Sequence, residues 1–397
     1  MGHNIAGRAR PRKTLGASAC LTLALASLGG SLACGATPAA AQTPPALVLD
    51  TSLIIDGQTT TGTNPQSGAA ARMQASLTLD GAAFGADGLT AMLDLAGFGG
   101  EGVSAKLGDL QGVSNIGAPP MVRPLNAWVQ YSRGAFAAKA GIIDTNAEFD
   151  EQNVGAMFLN GSHGMGPDLG ASGLNGGGAS PYSALGVIGF WSNDTLGLKL
   201  RAGVFAGRPG DPDVPERWSW RVGADAGRLT MAEVDWTRPG WRVALGGWQH
   251  DTTLPRMDGT GDTETSRGGF ATVEATLAGR PEGSEGPAGQ RLDGWLRLGV
   301  ADRVAAPVTR YVGGGLVWHG LLAAHPDDAL GVSVAHARAN RAGDPSLRPE
   351  TVVELTFQHQ LLPGVTLQPD AQYIIHPGNL ADAPDSLVLG LRLIITH

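Results

Sequence analysis

The chain has 397 residues, of which 60 are glycine and 16 % are charged, against about 7 % glycine and about 25 % charge in ordinary soluble domains. That is too little charge for a surface facing bulk water on every side, and too much glycine for a helical core. The excess of 36 acidic over 28 basic residues argues against nucleic acid as a partner, since phosphates call for a basic surface.

The chain begins with a basic segment, Arg8, Arg10, Arg12 and Lys13, then a small-residue apolar stretch from Leu15 to Leu32, then Thr37-Pro-Ala-Ala-Ala41. This order reads as a secretory signal with an A-x-A cleavage site before Gln42. Residues 1–41 are therefore expected to be a signal peptide and residues 42–397 the mature protein. Removing the signal takes away four basic and no acidic residues, leaving 24 basic against 36 acidic groups. Both cysteines, Cys20 and Cys34, go with it, which excludes a disulfide scaffold and a thiolate metal site.

Beyond the signal there is no apolar run near the roughly 18 residues of a membrane-spanning helix. What recurs is alternation. Strand-like pieces come at Leu47–Asp56, Ala75–Asp80 and Met92–Leu95, with clearer period-2 stretches at Leu125–Tyr131, Leu196–Arg201, Trp241–Trp248, Leu292–Val300 and Leu330–Val334. In Val353-Glu-Leu-Thr-Phe-Gln358 and Leu387-Val-Leu-Gly-Leu-Arg-Leu393 one face is greasy, while the other carries Glu354, Thr356 and Gln358, or Gly390 and Arg392. A strand sends successive side chains to opposite faces. A soluble sandwich would show the same period, but here charges sit in mid-strand and no helices are available to cover a second layer. A closed transmembrane barrel satisfies both faces, with lipid against one and water in the lumen. At roughly 20–22 residues per strand and connection, about 355 mature residues make an all-β antiparallel barrel of about 16 strands.

Gly, Pro and Asp mark the connections. Gln111–Arg123, Arg208–Glu216, Asp251–Arg267, Gly279–Gln290 and Arg338–Arg348 read as polar surface loops. The longest connection, about Asn146 to Tyr182, is glycine-rich and lacks sustained alternation. Loops of that length are usually functional or disordered, and in a barrel such a loop can fold inward and narrow the pore.

Enzyme signatures are missing, and no catalytic residue, cofactor or metal is expected. Gly97-Phe-Gly-Gly-Glu-Gly102 matches G-x-G-x-x-G but lacks the strand–helix setting that gives the pattern meaning. Ser162 and His163 are neighbours, and neighbours in an extended chain point apart, so a turn is expected there rather than a nucleophile pair. Asp327-Asp328 and Asp211-Pro-Asp213 offer carboxylates suited to calcium, but their Pro and Gly surroundings favour turns.

Several blocks together resemble the OprB-type carbohydrate-selective porins. They are Ala140-Gly-Ile-Ile-Asp-Thr-Asn-Ala-Glu-Phe-Asp150, Phe158-Leu-Asn-Gly-Ser-His-Gly-Met-Gly-Pro-Asp168, Gly203-Val-Phe-Ala-Gly-Arg-Pro-Gly-Asp-Pro-Asp213, Tyr311-Val-Gly-Gly-Gly-Leu, His325-Pro-Asp-Asp-Ala-Leu-Gly331, Glu350-Thr-Val-Val-Glu-Leu and Leu367-Gln-Pro-Asp-Ala-Gln-Tyr373 with His376-Pro-Gly. The resemblance runs from about Leu125 to the C-terminus. It implies a roughly sixteen-stranded outer-membrane barrel admitting glucose and similar small sugars by passive diffusion, assembled among outer-membrane lipids by the barrel assembly machinery. Two departures stand out. The chain ends Ile395-Thr-His397 where such barrels usually end in an aromatic residue, and Gly170–Ala179 is glycine-rich where relatives tend to carry more polar or basic side chains.

A constriction for a neutral sugar needs donors and acceptors around its ring and an aromatic surface to slide along, with binding weak enough to permit exit. Alternation nominates Lys199, Arg201, Arg242, Arg297, Glu354 and Arg392 as lumen residues, with Trp128 and Trp295 as stacking surfaces. On the long loop, Asp144, Asn146, Glu148, Asp150, Asn160, His163 and Asp168 are expected to hold the loop against the inner wall and shape the constriction. The competing readings are a general non-selective porin on the same barrel, a barrel enzyme, and a secreted β-sandwich.

Overall fold

The alternation seen in the sequence is the burial pattern of the strands. In Arg228–Arg238, Leu229, Met231, Glu233 and Asp235 are buried, while Thr230, Ala232, Val234 and Trp236 are exposed. The sense of burial is inverted relative to a soluble protein. Leu245 is 56 % exposed and Trp236 45 %, whereas Arg297 and Glu354 are fully buried. Ionised side chains are almost never fully buried unless paired, so the charges face a shared interior and the apolar face needs a non-aqueous surrounding.

The computed structural model describes residues 46–211, 213–218, 226–282, 289–321 and 325–397. The segment read as a signal, residues 1–41, lies outside the described residues. Sixteen strands follow in chain order. The first eight are β1 (Leu47–Thr60), β2 (Ser67–Asp80), β3 (Leu89–Gly100), β4 (Ala118–Arg133), β5 (Phe136–Ile143), β6 (Ala184–Asn193), β7 (Leu198–Ala206) and β8 (Arg228–Arg238). The second eight are β9 (Trp241–Pro255), β10 (Asp262–Ala278), β11 (Arg291–Ala301), β12 (Val308–His319), β13 (Ala329–Ala339), β14 (Glu350–Leu362), β15 (Val365–Ile375) and β16 (Ser386–Thr396).

Each strand pairs antiparallel with its sequence neighbours, and β1 closes the barrel on β16 from Ser52 opposite Thr396 to Thr60 opposite Val388. Closure leaves no sheet edge for lipid to strand. At one end several hairpins reverse in tight turns. Pro239-Gly240 and Pro363-Gly364 are two such turns, where proline fixes its own φ and glycine takes a φ of +85° or +75° that a side chain would resist. At the other end two long connections, residues 101–117 and 144–183, leave the strands.

Two connections differ from the sequence reading. Asp251–Arg267 is mostly strand, because β9 runs on to Pro255 and β10 begins at Asp262. Gln111–Arg123 is not a surface loop, since residues 118–123 belong to β4 and Gln111, Val113, Ser114 and Ile116 are buried.

Candidate functional site

The connection of residues 144–183 is tied to inward side chains of eight consecutive strands. The Asp150 N–H donates to Glu233 of β8 (2.8 Å). Arg242 of β9 donates to the Glu151 carbonyl (2.9 Å). Glu274 of β10 accepts from the Val154 N–H and the Asn153 amide, both at 2.8 Å. Arg297 of β11 grips Asp150 and Asp168, and the Tyr311 hydroxyl of β12 donates to the Ser162 carbonyl (3.0 Å). Ser333 of β13 meets His163 Nε2 at 2.9 Å. Glu354 of β14 accepts from the N–H groups of Leu159 (2.6 Å) and Asn160 (3.1 Å), and Gln368 of β15 donates to the Met157 carbonyl (2.8 Å). A segment that reaches the inner face of half the wall lies inside the lumen.

Local chemistry shapes this segment before it docks. Asp144 accepts from the Asn146 N–H, and Asn160 accepts from the Ser162 N–H, each starting a short 3-10 turn. Such side-chain bonds to a backbone two residues on are what Asp and Asn do in turns. The Asn146 amide spans the carbonyls of Phe149 and Asp150. Apolar residues finish the docking. Phe149 and Leu169 enter a cluster with Ile188, Phe205, Trp248 and Phe270, while Phe158 packs at a tilt against Trp295 with centroids 4.9 Å apart.

Residues 101–117 form a second inward segment that the sequence reading missed. Glu350 accepts from the N–H groups of Leu110 (2.8 Å) and Gln111 (3.0 Å). Ser114 donates to Asp56 (2.6 Å), and Asp56 is held in turn by Arg392 through two 2.7 Å contacts. Arg392 also reaches Asn115 (2.8 Å), and the Asn115 N–H donates to the Leu159 carbonyl, joining the two segments.

The nominated residues thus fall into different surroundings. Arg201 pairs with Glu233 and Asp235, and Arg242 with Asp235 (2.7 Å) and Glu274 (3.0 Å). Lys139 pairs with Glu148 and sits 3.9 Å over the Trp128 ring, occupying the face proposed for stacking. Trp295 is covered by Phe158 and His163, and its Nε1 donates to Gln152 (3.2 Å). Lys199 is exposed near the turn between β6 and β7. Ser162 and His163 do not pair with each other; Ser162 donates to Gln111 (3.0 Å). Asp211 shapes a turn by accepting from the Asp213 N–H (3.2 Å), and residue 212 between them lies outside the described residues.

What the two segments leave open is a cavity of about 750 Å³ against β1, β2 and β14–β16. Arg72, Arg392, Asp144, Asn146, Asn175 and Tyr182 line it. Three of these were nominated from sequence. Arg72, Asn175 and Tyr182 were not, although Arg72 shares the inward row of Ala70 and Gln74 and could have been found by starting that strand earlier. Among the described residues, Arg72 Nε has no hydrogen-bond partner and Arg72 makes no ion pair. Burial pushes the Asp144 carboxyl up to about 6, and it does the same to Asp150 against the pull of Arg297. Burial drives the His163 imidazole the other way, down to about 3.

Residues 66–397 match the family described as "Carbohydrate-selective porin, OprB family". No curated protein matches the chain in sequence. Among solved structures, it is similar to the high-pH structure of Pseudomonas putida OprB, with a TM-score of 0.78 at 16 % identity over 89 % of this chain and 94 % of that one. The low-pH structure of the same protein gives a TM-score of 0.58 at 14 % identity, over 89 % and 93 %. A mutant of Rh. blastica porin gives 0.51 at 12 % identity, over 88 % and 100 %. At such identities the structural likeness speaks to the barrel alone.

Proposed function

The chain belongs to the OprB family of carbohydrate-selective porins, and from that premise we propose that neutral sugars of about glucose size pass by diffusion through the cavity beside Arg72, Asp144 and Arg392. The observation that carries this reading is the placement of unfilled polar space. The docked segments occupy the lumen beside β8–β13 and leave a cavity of about 750 Å³ lined by guanidinium, carboxyl and amide groups. A sugar entering it exchanges hydrogen bonds with water for hydrogen bonds with Arg72, Asn146 and Asn175. Tyr182 offers a ring to a C–H face. Opposite charges in the lining, Arg72 against Asp144, with Arg392 balanced by Asp56, give ions of either sign little net attraction. Each contact is replaceable by water, so the sugar can leave as readily as it enters.

The buried pairs of Arg201, Arg242, Arg297 and Glu354 serve a different purpose in this reading. They brace the loop that defines the path, Arg297 through Asp150 and Asp168 and Glu354 through the Asn160 N–H, while Glu148 is held by Lys139 and His163 by Ser333. The first 41 residues would direct export and be removed, with the assembly machinery inserting the barrel among outer-membrane lipids. Amino-terminal sequencing of protein from the outer-membrane fraction should then begin at Gln42.

Liposome swelling tests the transport reading. Vesicles carrying the purified protein should swell faster in an isotonic monosaccharide than in a charged solute of similar size. Equal rates would favour a general pore, and no swelling from folded protein would reject transport.

A further inference from the structure

At the end of the barrel that carries the tight turns, three side chains converge that the sugar path does not use. His325 and Asp328 lie in the turn between β12 and β13, where the Asp328 N–H donates to the His325 carbonyl (3.2 Å) and the Gly320 N–H donates to the Asp328 carbonyl (2.8 Å). This closed turn points both side chains toward His359 of β14. His359 Nδ1 is 2.9 Å from each Asp328 carboxylate oxygen, and the His325 and His359 rings meet edge to face with centroids 5.1 Å apart. One donor atom from each of the three residues lies within 4.8 Å of the others.

We propose that His325, Asp328 and His359 form a binding site for a divalent transition metal, with Zn²⁺ as the representative ion. Two imidazoles and a carboxylate are a borderline ligand set that suits zinc, nickel or copper better than calcium or magnesium. An ion with bonds of about 2.1 Å holds tetrahedral ligands about 3.4 Å apart, so a modest turn of the exposed His325 ring completes the set. Asp328 supplies an independent reason. Its carboxylate is 1 % exposed, and among the described residues the only side chain within hydrogen-bonding distance of it is His359. A buried carboxylate with no Arg or Lys beside it is costly unless another positive charge compensates it, and a bound cation provides that charge. The exposed side of His325 leaves an entry path and room for water as a fourth ligand. The ion would clip the β12–β13 turn to β14, replacing the turn-only role expected for Asp327-Asp328 from the sequence.

The test uses the full mature protein in detergent, stripped with a chelator and titrated with Zn²⁺ by calorimetry. One zinc per chain is expected, with affinity reduced at least tenfold in each of H325A, D328N and H359Q, in line with the sensitivity of metal sites to single ligand changes. H336Q, on β13 but outside the cluster, should bind as the parent does. Zinc should also raise the unfolding temperature of the parent but not of the H325A/H359Q double variant. Because His325 is exposed, H325A retains the fold and keeps the test decisive. Absence of binding, or equal binding by parent and double variant, would overturn the site.

Discussion

Arg297 and Asp150 meet as a fork against a carboxylate, with Nε 2.8 Å from Oδ1 and Nη2 2.8 Å from Oδ2, both side chains wholly shielded from solvent. One residue belongs to the wall and the other to the loop inside it. Asp150 also holds a φ of +58°, a conformation that costs a non-glycine residue about 1–3 kcal/mol and is held by Arg297, Glu233, Asn146 and the Gly166 N–H. The same guanidinium takes Asp168 farther along the loop, with Nη2 3.2 Å from Oδ2. One arginine therefore pins two points of the segment that sets the width of the path.

Removing that arginine should release the loop. R297M leaves Asp150 and Asp168 buried and uncompensated, a loss of about 3–5 kcal/mol for a broken buried pair. The loop of R297M should become sensitive to a broad-specificity protease while the strands stay intact. The triple variant R297M/D150N/D168N, which removes the charges together, should recover part of the resistance. Parent-like resistance in R297M would show that the fork does not hold the loop.

A steric route should give the same result without altering any charge. A Cβ built at Gly299 falls within 3.0 Å of both Asp168 Oδ1 and Arg297 Nη1. G299A should therefore weaken docking by about 1–3 kcal/mol, as overpacking does. Protease sensitivity between that of the parent and that of R297M is expected, with little change in barrel unfolding temperature.

Acid should loosen the loop through His163. Above pH 6.5 the imidazole is neutral whether docked or free. Below it, the free imidazole takes a proton that the docked one refuses until about pH 3, so docking loses stability as pH falls across that interval. Asp144 and Asp150, pushed up to about 6, protonate earlier when docked and act in the opposite sense between about pH 6 and 4. The informative quantity is the difference between the parent and H163Q. The parent's loop stability should decline more steeply below pH 6.5, and parallel curves would remove His163 as the cause.

Sugar affinity should follow the cavity rather than the loop anchors. R72A should raise the half-blocking sugar concentration about tenfold, equivalent to about 1.4 kcal/mol, and shift ion preference toward cations. K199A should leave that concentration unchanged, because Lys199 is exposed near a turn and does not line the cavity. The reverse pattern would return the sugar contacts to the originally nominated residues.

The barrel was legible because its strands repeat a short-range rule. Val353–Gln358 and Leu387–Leu393 each display an apolar outer row and a polar inner row, and β14 and β16 follow them directly. The beginning of β4 was hidden by Pro119, Pro120 and Pro124, which cannot donate to a ladder, and its pairing with β3 shifts register twice. The inward course of residues 111–117 was hidden for another reason. Gln111 and Ser114 look like surface residues until Glu350 and Asp56, 239 and 58 positions away, supply their partners. The site residues were half legible on the same grounds. Alternation puts Arg297 and Arg392 inside, but whether an inward arginine faces water or a loop carboxylate depends on how that loop docks.

Single-channel conductance of the mature protein in a planar bilayer, with glucose titrated in, tests the central claim most directly. The cavity beside Arg72, Asp144 and Arg392 predicts discrete channels whose current falls saturably with sugar, and a weaker block in R72A. Channels indifferent to glucose, or blocked equally in R72A, would contradict that path.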